Sequence, residues 1–116
     1  MDVQGVFYPP GDKDDPAALP QPGQFSPDLH TVAALTGGTL VQELRLGHGI
    51  VALCAEDAWA LRLPVNGYAS VAANMLTRGE ACRGGPLCGG ILFVGITDDG
   101  EYADLPETPT VYTAGQ

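Results

Sequence analysis

The chain has 116 residues, of which 45% are hydrophobic and only 16% are charged, with 16 glycines and 10 prolines. This length and hydrophobic content favour one small folded domain with a single core, and they exclude a chain that is disordered throughout. The formal net charge of −9 opposes direct binding to nucleic acid, where cations must replace the counterions of the phosphates. The same charge is compatible with basic protein partners.

Membrane insertion and export are not indicated by the sequence. No stretch approaches the ~18 apolar residues that a membrane-spanning helix requires. The amino end, MDVQGVFYPPGDKDD, lacks the basic and then apolar segments of an export signal. The three cysteines, an odd number, are typical of reduced thiols rather than of a disulfide framework. We therefore expect a cytoplasmic protein.

The amino-terminal part predicts a strand, a linker and a helix. Residues 1–10 contain a short, partly apolar segment that ends at two prolines, which predicts a first strand. Residues 11–27 are rich in proline and aspartate and favour an extended linker or loop. Ser26 is then expected to cap a helix that has Pro27 at its first position and ends at Gly37.

The next segments predict a hairpin. Residues 39–46 alternate apolar and polar side chains, which is typical of a half-buried strand. Residues 50–54 are apolar throughout and predict a more fully buried strand. The turn between them is expected at Gly47, His48 and Gly49.

The second half predicts another strand, a helix and a central strand. Residues 59–63 again alternate, which favours a strand that stops at a proline. Residues 66–76 favour a helix with Asn66 as its cap. After a glycine-rich loop, residues 91–96 predict a buried strand, and the Asp-Asp-Gly sequence that follows reverses the chain.

These segments predict one small α+β domain. The first strand lies in residues 1–10, the proline-rich linker or loop in 11–27, the core in 28–105, and a tail or short edge strand in 106–116. The connections are too short for repeated crossovers, so we expect a mainly antiparallel sheet with about two short helices.

The order of these motifs resembles the domain-of-unknown-function family 3846. The resemblance covers about residues 28–105, and the residues that carry it are Gly37, Gly38, Glu56, Asp57, Leu63, Pro64, Asn66, Gly90, Val94, Gly95, Asp99, Gly100, Glu101 and Leu105. It implies an accessory protein of phages, plasmids or actinobacterial genomes, and it implies no activity. Gly67 stands where the family commonly has a basic residue, so no role for that cation is carried over.

The sequence does not combine the residues that an enzyme or a metal site needs. His30 and His48 are the only histidines, one on the flank of a helix and one in a turn, so no cysteine or serine has an evident base. Cys54, Cys82 and Cys88 with His48 are candidate zinc ligands, but their spacing is not that of a zinc knuckle. We expect no catalytic residues, no cofactor and no metal; a Cys82–Cys88 disulfide on oxidation is an alternative.

Two groups of residues are candidates for binding. Trp59, Asn66 and Tyr68 flank the Leu63-Pro64 step, where a tryptophan can stack on a flat ligand or anchor a partner. The alternative is that Trp59 is simply part of the core. The second group is an acidic edge for a partner, consisting of Asp98, Asp99, Glu101 and Asp104. The alternative there is a solvated edge that discourages strand addition.

The functional expectation is a non-enzymatic binding module that acts by occupying a protein or a small ligand. The family resemblance makes it one of mobile-element or phage accessory type. One alternative is an acidic, anti-restriction-like decoy that binds a nucleic-acid-binding protein. Another is sequestration of a nucleotide-like molecule at an oligomer interface, because apolar strands with few surface charges favour a homo-oligomer.

Overall fold

The structure is a computed structural model that describes residues 2–12 and 14–106. Within these residues, six strands form one sheet, with one α-helix packed on each face. Every ladder between the strands is antiparallel. The prediction of a small α+β domain with a mainly antiparallel sheet and two short helices is confirmed.

The elements in chain order are β1 (Val3–Tyr8), a short 3-10 helix (Pro16–Ala18), β2 (Gln21–Phe25), α1 (Leu29–Thr36), β3 (Val41–Gly47), β4 (Ile50–Ala55), α2 (Gly67–Thr77), β5 (Ile91–Ile96) and β6 (Tyr102–Ala103). The strands lie in the order β2-β1-β5-β4-β3, and β6 pairs with the end of β5. Because β1 and β6 share one edge of β5 and β4 takes the other, β5 is the centre of the sheet.

Alternation along the central strands divides the core between the two faces. Ile50 and Phe93 point to the face that α2 covers, where the Phe93 ring lies 4.7 Å from the Tyr8 ring. Val51 and Val94, the next residues of the same strands, point to the face that α1 covers. Both faces are therefore buried, which explains why β4 and β5 are apolar at nearly every position.

The proline-rich segment, residues 11–27, is not a linker along its whole length. Its second half forms β2, which pairs with β1. In this ladder Phe25 lies opposite Val3, and Pro22 lies opposite Val6. Proline is tolerated there because β2 is an edge strand, where a missing N–H costs the sheet least. The expectation of a linker is corrected for this half, and the segment closes one side of the sheet.

The start of α1 also differs from the expectation, because Asp28 rather than Ser26 is its cap. The Asp28 carboxylate accepts from the Thr31 N–H at 2.9 Å and from the Ser26 hydroxyl. These hydrogen bonds, that from Ser26 first, lower the pKa of Asp28 to about 2. The helix ends at Gly37 in the left-handed conformation, as the sequence predicts.

Residues 59–63 form turns rather than the predicted strand. The Leu61 N–H donates to the Asp57 carbonyl at 2.9 Å, and the Leu63 N–H donates to the Ala58 carbonyl at 3.0 Å. The apolar alternation at Trp59, Leu61 and Leu63 does not mark a buried strand face, because Trp59 and Leu61 are exposed and only Leu63 is half-buried.

The predicted tail, residues 106–116, lies outside the described residues from position 107 onward. No helix in the part of the chain that the structure describes is long and apolar enough to cross a membrane.

Candidate functional site

A cleft with a volume of about 80 Å³ opens where β3 and β4 meet the loop before β5. Its apolar lining includes Trp59, Leu87 and Ile91, and its polar lining includes Gln42 and Glu56. The residues come from three separate parts of the chain, which the antiparallel pairing of β3, β4 and β5 brings to the same end of the sheet.

Trp59 forms one side of this cleft and is 65% exposed. Its indole lies directly against the backbone of Gly85, where an added Cβ would come within 2.6 Å of the ring. Gly85 also has a φ of 128°, a conformation that side chains other than glycine rarely adopt. Glycine at this position therefore allows the loop to support the tryptophan.

The turn that carries Trp59 is fixed at its start by Asp57. The Asp57 carboxylate accepts from the Thr39 hydroxyl at 2.7 Å, and this hydrogen bond lowers the pKa of Asp57. Gly38 makes the approach possible, because a Cβ there would lie 2.4 Å from the Ala55 Cβ. The two glycines after α1 thus connect the helix end to the turn beside the cleft.

Two thiols line the cleft and neither is an activated nucleophile. Burial raises the pKa of the Cys54 thiol, which donates to the Gln42 carbonyl over an S···O distance of 3.9 Å. Burial also raises the pKa of the half-buried Cys88. Both side chains are therefore protonated at neutral pH and offer weak S–H donors and polarisable apolar contact. Cys82 lies outside the cleft lining, and all three cysteines are free thiols.

The other groups considered as metal or catalytic residues are dispersed. Among residues 2–12 and 14–106, no three His, Cys, Asp or Glu side chains are grouped to hold a metal ion. His30 is an exposed residue of α1, and His48 is an exposed turn residue with a φ of 59°. Neither histidine is a lining residue of the cleft.

Asn66, a predicted ligand-binding residue, is fully buried and has a structural role. Its Nδ2 donates to the carbonyl oxygens of Tyr8 and Gly89, each at 2.8 Å. Its Oδ1 accepts from the Ala69 N–H at 3.1 Å and so caps α2. The side chain therefore joins β1, α2 and the loop before β5, and it positions the cleft rather than facing a surface ligand.

Tyr68 is also internal, being 8% exposed and part of the core between the sheet and α2. Of the three residues predicted as a ligand wall, Trp59 is the one at the surface. The sequence does not predict Gln42, Glu56 or Gly85 as binding residues, and Glu56 enters there only through the family resemblance. The hairpin register could have revealed the first two, because Gln42 lies opposite Cys54 and the Glu56 N–H donates to the Leu40 carbonyl.

The predicted acidic edge is divided by the structure. Asp98, Asp99 and Glu101 are exposed around the turn between β5 and β6. Asp104 instead accepts from the Gln4 N–H at 2.8 Å, which attaches the chain after β6 to β1. An open depression of about 240 Å³ adjoins this turn and places Asp98 and Arg45 in one lining.

Comparison with protein families, with curated proteins and with solved structures finds no match to this chain. The resemblance of residues 28–105 to the domain-of-unknown-function family 3846 therefore stays a prediction from the sequence.

Proposed function

We propose that this protein is a non-enzymatic binding module that receives one aliphatic side chain of a protein partner in the cleft beside Trp59. The volume of about 80 Å³ carries this proposal. It corresponds to about three water molecules at roughly 30 Å³ each, or to one branched side chain. Sites for drug-sized ligands are typically about 300–1,000 Å³. In this cleft, the size therefore favours one side chain of a protein partner over a whole nucleotide.

The surroundings of the cleft support contact with a protein. Trp59 exposes most of its indole while Gly85 backs the ring, which makes it a rigid aromatic anchor. Leu40 is 56% exposed and Leu61 is 46% exposed. Backbone hydrogen bonds join Leu40 to Glu56 and Leu61 to Asp57, so both lie next to the cleft-bearing turn. A partner that covers this end of the sheet buries all three apolar side chains.

Charge defines the chemistry of the preferred partner. Glu56 is exposed and is one of the residues that line the cleft, and the whole chain has a net charge of −9. A partner with lysine or arginine beside its apolar anchor is attracted by this field. We therefore infer a basic peptide segment with a central leucine or valine as the ligand class.

The test uses Trp59, the single tryptophan, as a fluorescent reporter. Acetyl-Lys-Leu-Lys-amide should change its emission saturably, and acetyl-Lys-Gly-Lys-amide should bind about tenfold more weakly or worse. This ratio follows from burial of a leucine side chain, which stabilises by about 1.5–3 kcal/mol. Adenosine monophosphate should give no saturable change. Equal binding of the two peptides, or saturation by the nucleotide alone, would contradict the proposal.

A second candidate is the acidic decoy that binds a nucleic-acid-binding protein. Its support is that Asp98, Asp99 and Glu101 are exposed together, whereas the ion pair found within the described residues joins Arg83 and Glu80. Neutralising all three carboxylates should abolish binding of a basic partner if this candidate is correct. The same variant should retain binding if the cleft is the site.

The cysteines and the sequence resemblance support a proposal for the cellular location and the biological context of this function. Three free thiols support a cytoplasmic location, since that compartment keeps cysteines reduced. The mobile-element or phage accessory role follows from the sequence resemblance, and a small module that occupies a host or partner protein is compatible with it.

A further inference from the structure

The two edge strands of the sheet differ in their capacity to pair with another chain. β2 contains Pro22 and Gly23, and a proline lacks the N–H that a new strand would need. β3 has seven residues, no proline, and a glycine only at its last position. Within the described residues, β3 ends the strand order on its side. It is therefore the edge that is suited to adding a strand.

The hydrogen-bond pattern shows which backbone groups of β3 face outward. The Glu56 N–H donates to the Leu40 carbonyl, so residue 40 bonds toward β4. Bonded positions alternate in an antiparallel ladder, so Gln42 and Leu44 also bond toward β4. The residues whose N–H and C=O groups point away from β4 are Val41, Glu43 and Arg45.

We propose that a second copy of this chain pairs with this edge, antiparallel, with a two-fold axis at Leu44. In this register Glu43 lies opposite Arg45 of the second copy, and Arg45 lies opposite its Glu43. The outward-facing groups of these residues then exchange hydrogen bonds in both pairs. The two sheets become one continuous sheet with a closed, isologous interface.

The charges of β3 select this register over its neighbours. Moving the axis to Glu43 would oppose two glutamates, and moving it to Arg45 would oppose two arginines. Opposed like charges destabilise a strand pair, whereas opposite charges stabilise it. Glu43 and Arg45 are both exposed, so both are available for the pairing. Charge complementarity is therefore the observation that identifies a second copy as the occupant.

Tyr102 holds one member of each charged pair in place. Its hydroxyl donates to Oε2 of Glu43 across the face of the sheet that carries α1. A carboxylate has a second oxygen, which can accept from the guanidinium of Arg45 in the second copy. On the opposite face, the half-buried Leu44 would meet its own counterpart at the axis.

This dimer deepens the proposed function, because it would place two clefts on the same face of one sheet. Gln42 lines the cleft and, in this register, lies opposite Leu46 of the second copy. At about 3.3 Å per residue, the two Gln42 Cα atoms would be roughly 14 Å apart. This consequence rests on the proposed cleft, and it predicts tighter capture of a partner with two anchors.

The test measures molar mass by sedimentation equilibrium over a range of protein concentrations. The wild type should dimerise, and Arg45→Glu and Glu43→Arg should each raise the dimer dissociation constant about tenfold or more. The double exchange, Glu43→Arg with Arg45→Glu, restores opposite charges and should return the constant to within about threefold. Arg78→Glu changes the net charge by the same amount as Arg45→Glu, but at an exposed arginine outside the sheet. It should leave the dimer dissociation constant unchanged.

Three outcomes would contradict the proposed dimer. They are a monomer at every concentration, a dimer whose dissociation constant does not respond to the single substitutions, and a double exchange that fails to restore dimerisation. Circular dichroism of each variant verifies folding. If Glu43→Arg proves unstable, Arg45→Glu alone still tests the pairing, because it keeps the hydrogen bond between Tyr102 and Glu43. Mass does not depend on cleft occupancy, so failure of the dimer leaves the peptide titration to decide the proposed function.

Discussion

The indole of Trp59 lies on the backbone of Gly85, so close that a Cβ at Gly85 would stand 2.6 Å from Cζ2 of the ring. The tryptophan is thus held by contact with a loop from the other half of the chain while most of its surface stays in solvent. A residue that is exposed and yet positioned in this way is suited to anchoring a partner. The position of the loop therefore determines the shape of the cleft.

Gly85→Ala should displace Trp59 without altering the tryptophan itself. The added methyl group overlaps the ring, and the φ of 128° is strained for alanine. We expect a shifted emission maximum, faster quenching by iodide and several-fold weaker binding of acetyl-Lys-Leu-Lys-amide. Gly84→Ala is the matched control, because nothing lies within 4 Å of a Cβ there. If both variants behave like the wild type, the loop does not hold the ring.

Asn66→Ala should destabilise the fold by about 3 kcal/mol in urea unfolding. The substitution removes the cap of α2 and leaves the buried carbonyls of Tyr8 and Gly89 without this donor. Asp28→Ala, which removes the exposed cap of α1, should destabilise the fold clearly less than Asn66→Ala. Equal losses from the two substitutions would show that Asn66 acts as a cap alone.

The features that the sequence predicted correctly depend on neighbouring residues. The apolar run of β5, the cap at Asn66 and the left-handed end at Gly37 each follow from side chains within a few positions. The sequence does not predict β2, because its partner is the distant β1 and because Pro22 argues against a strand unless the edge position is known. Pairing with a distant segment outweighed local composition there.

The cleft could be predicted only in part for the same reason. Trp59 stands out as the single tryptophan, but its burial depends on whether residues 59–63 form a strand or turns. Gly85 lies 26 positions further along the chain, and no local pattern connects it to the indole. From the sequence, Asn66 has two candidate roles, as a helix cap and as a polar ligand contact near Trp59. Its complete burial and its hydrogen bond from the Ala69 N–H show that it is the cap.

Stability should fall at alkaline pH through ionisation of Tyr102. Burial, together with the hydrogen bond to Glu43, raises the pKa of Tyr102 to about 12, above the value of about 10 in an unfolded chain. The folded state therefore retains the proton longer, and the resulting stabilisation is complete below pH 10 and is lost as the pH rises toward 12. Urea unfolding from pH 8 to 11 should show a steeper decline for the wild type than for Tyr102→Phe. Parallel pH profiles would contradict this role.

Alkylation should distinguish the thiols of the cleft from Cys82. Burial should protect Cys54 from iodoacetamide in the folded protein, and the pKa of Cys88, which burial raises, should slow its reaction at neutral pH. Acetyl-Lys-Leu-Lys-amide should slow labelling of Cys88 further, because that thiol lines the cleft. Cys82, which lies outside the lining, is the internal control in peptide mapping by mass spectrometry. Unchanged labelling of Cys88 in the presence of bound peptide would exclude the cleft as the site.

The most direct measurement of where a partner binds is amide chemical-shift mapping of ¹⁵N-labelled protein during titration with acetyl-Lys-Leu-Lys-amide. Binding in the cleft predicts saturable shifts at residues 54–59 and 86–91, which supply most of its lining. It also predicts little change at residues 97–104, around the acidic turn between β5 and β6. Saturable shifts confined to residues 97–104 would contradict the cleft and favour the acidic edge.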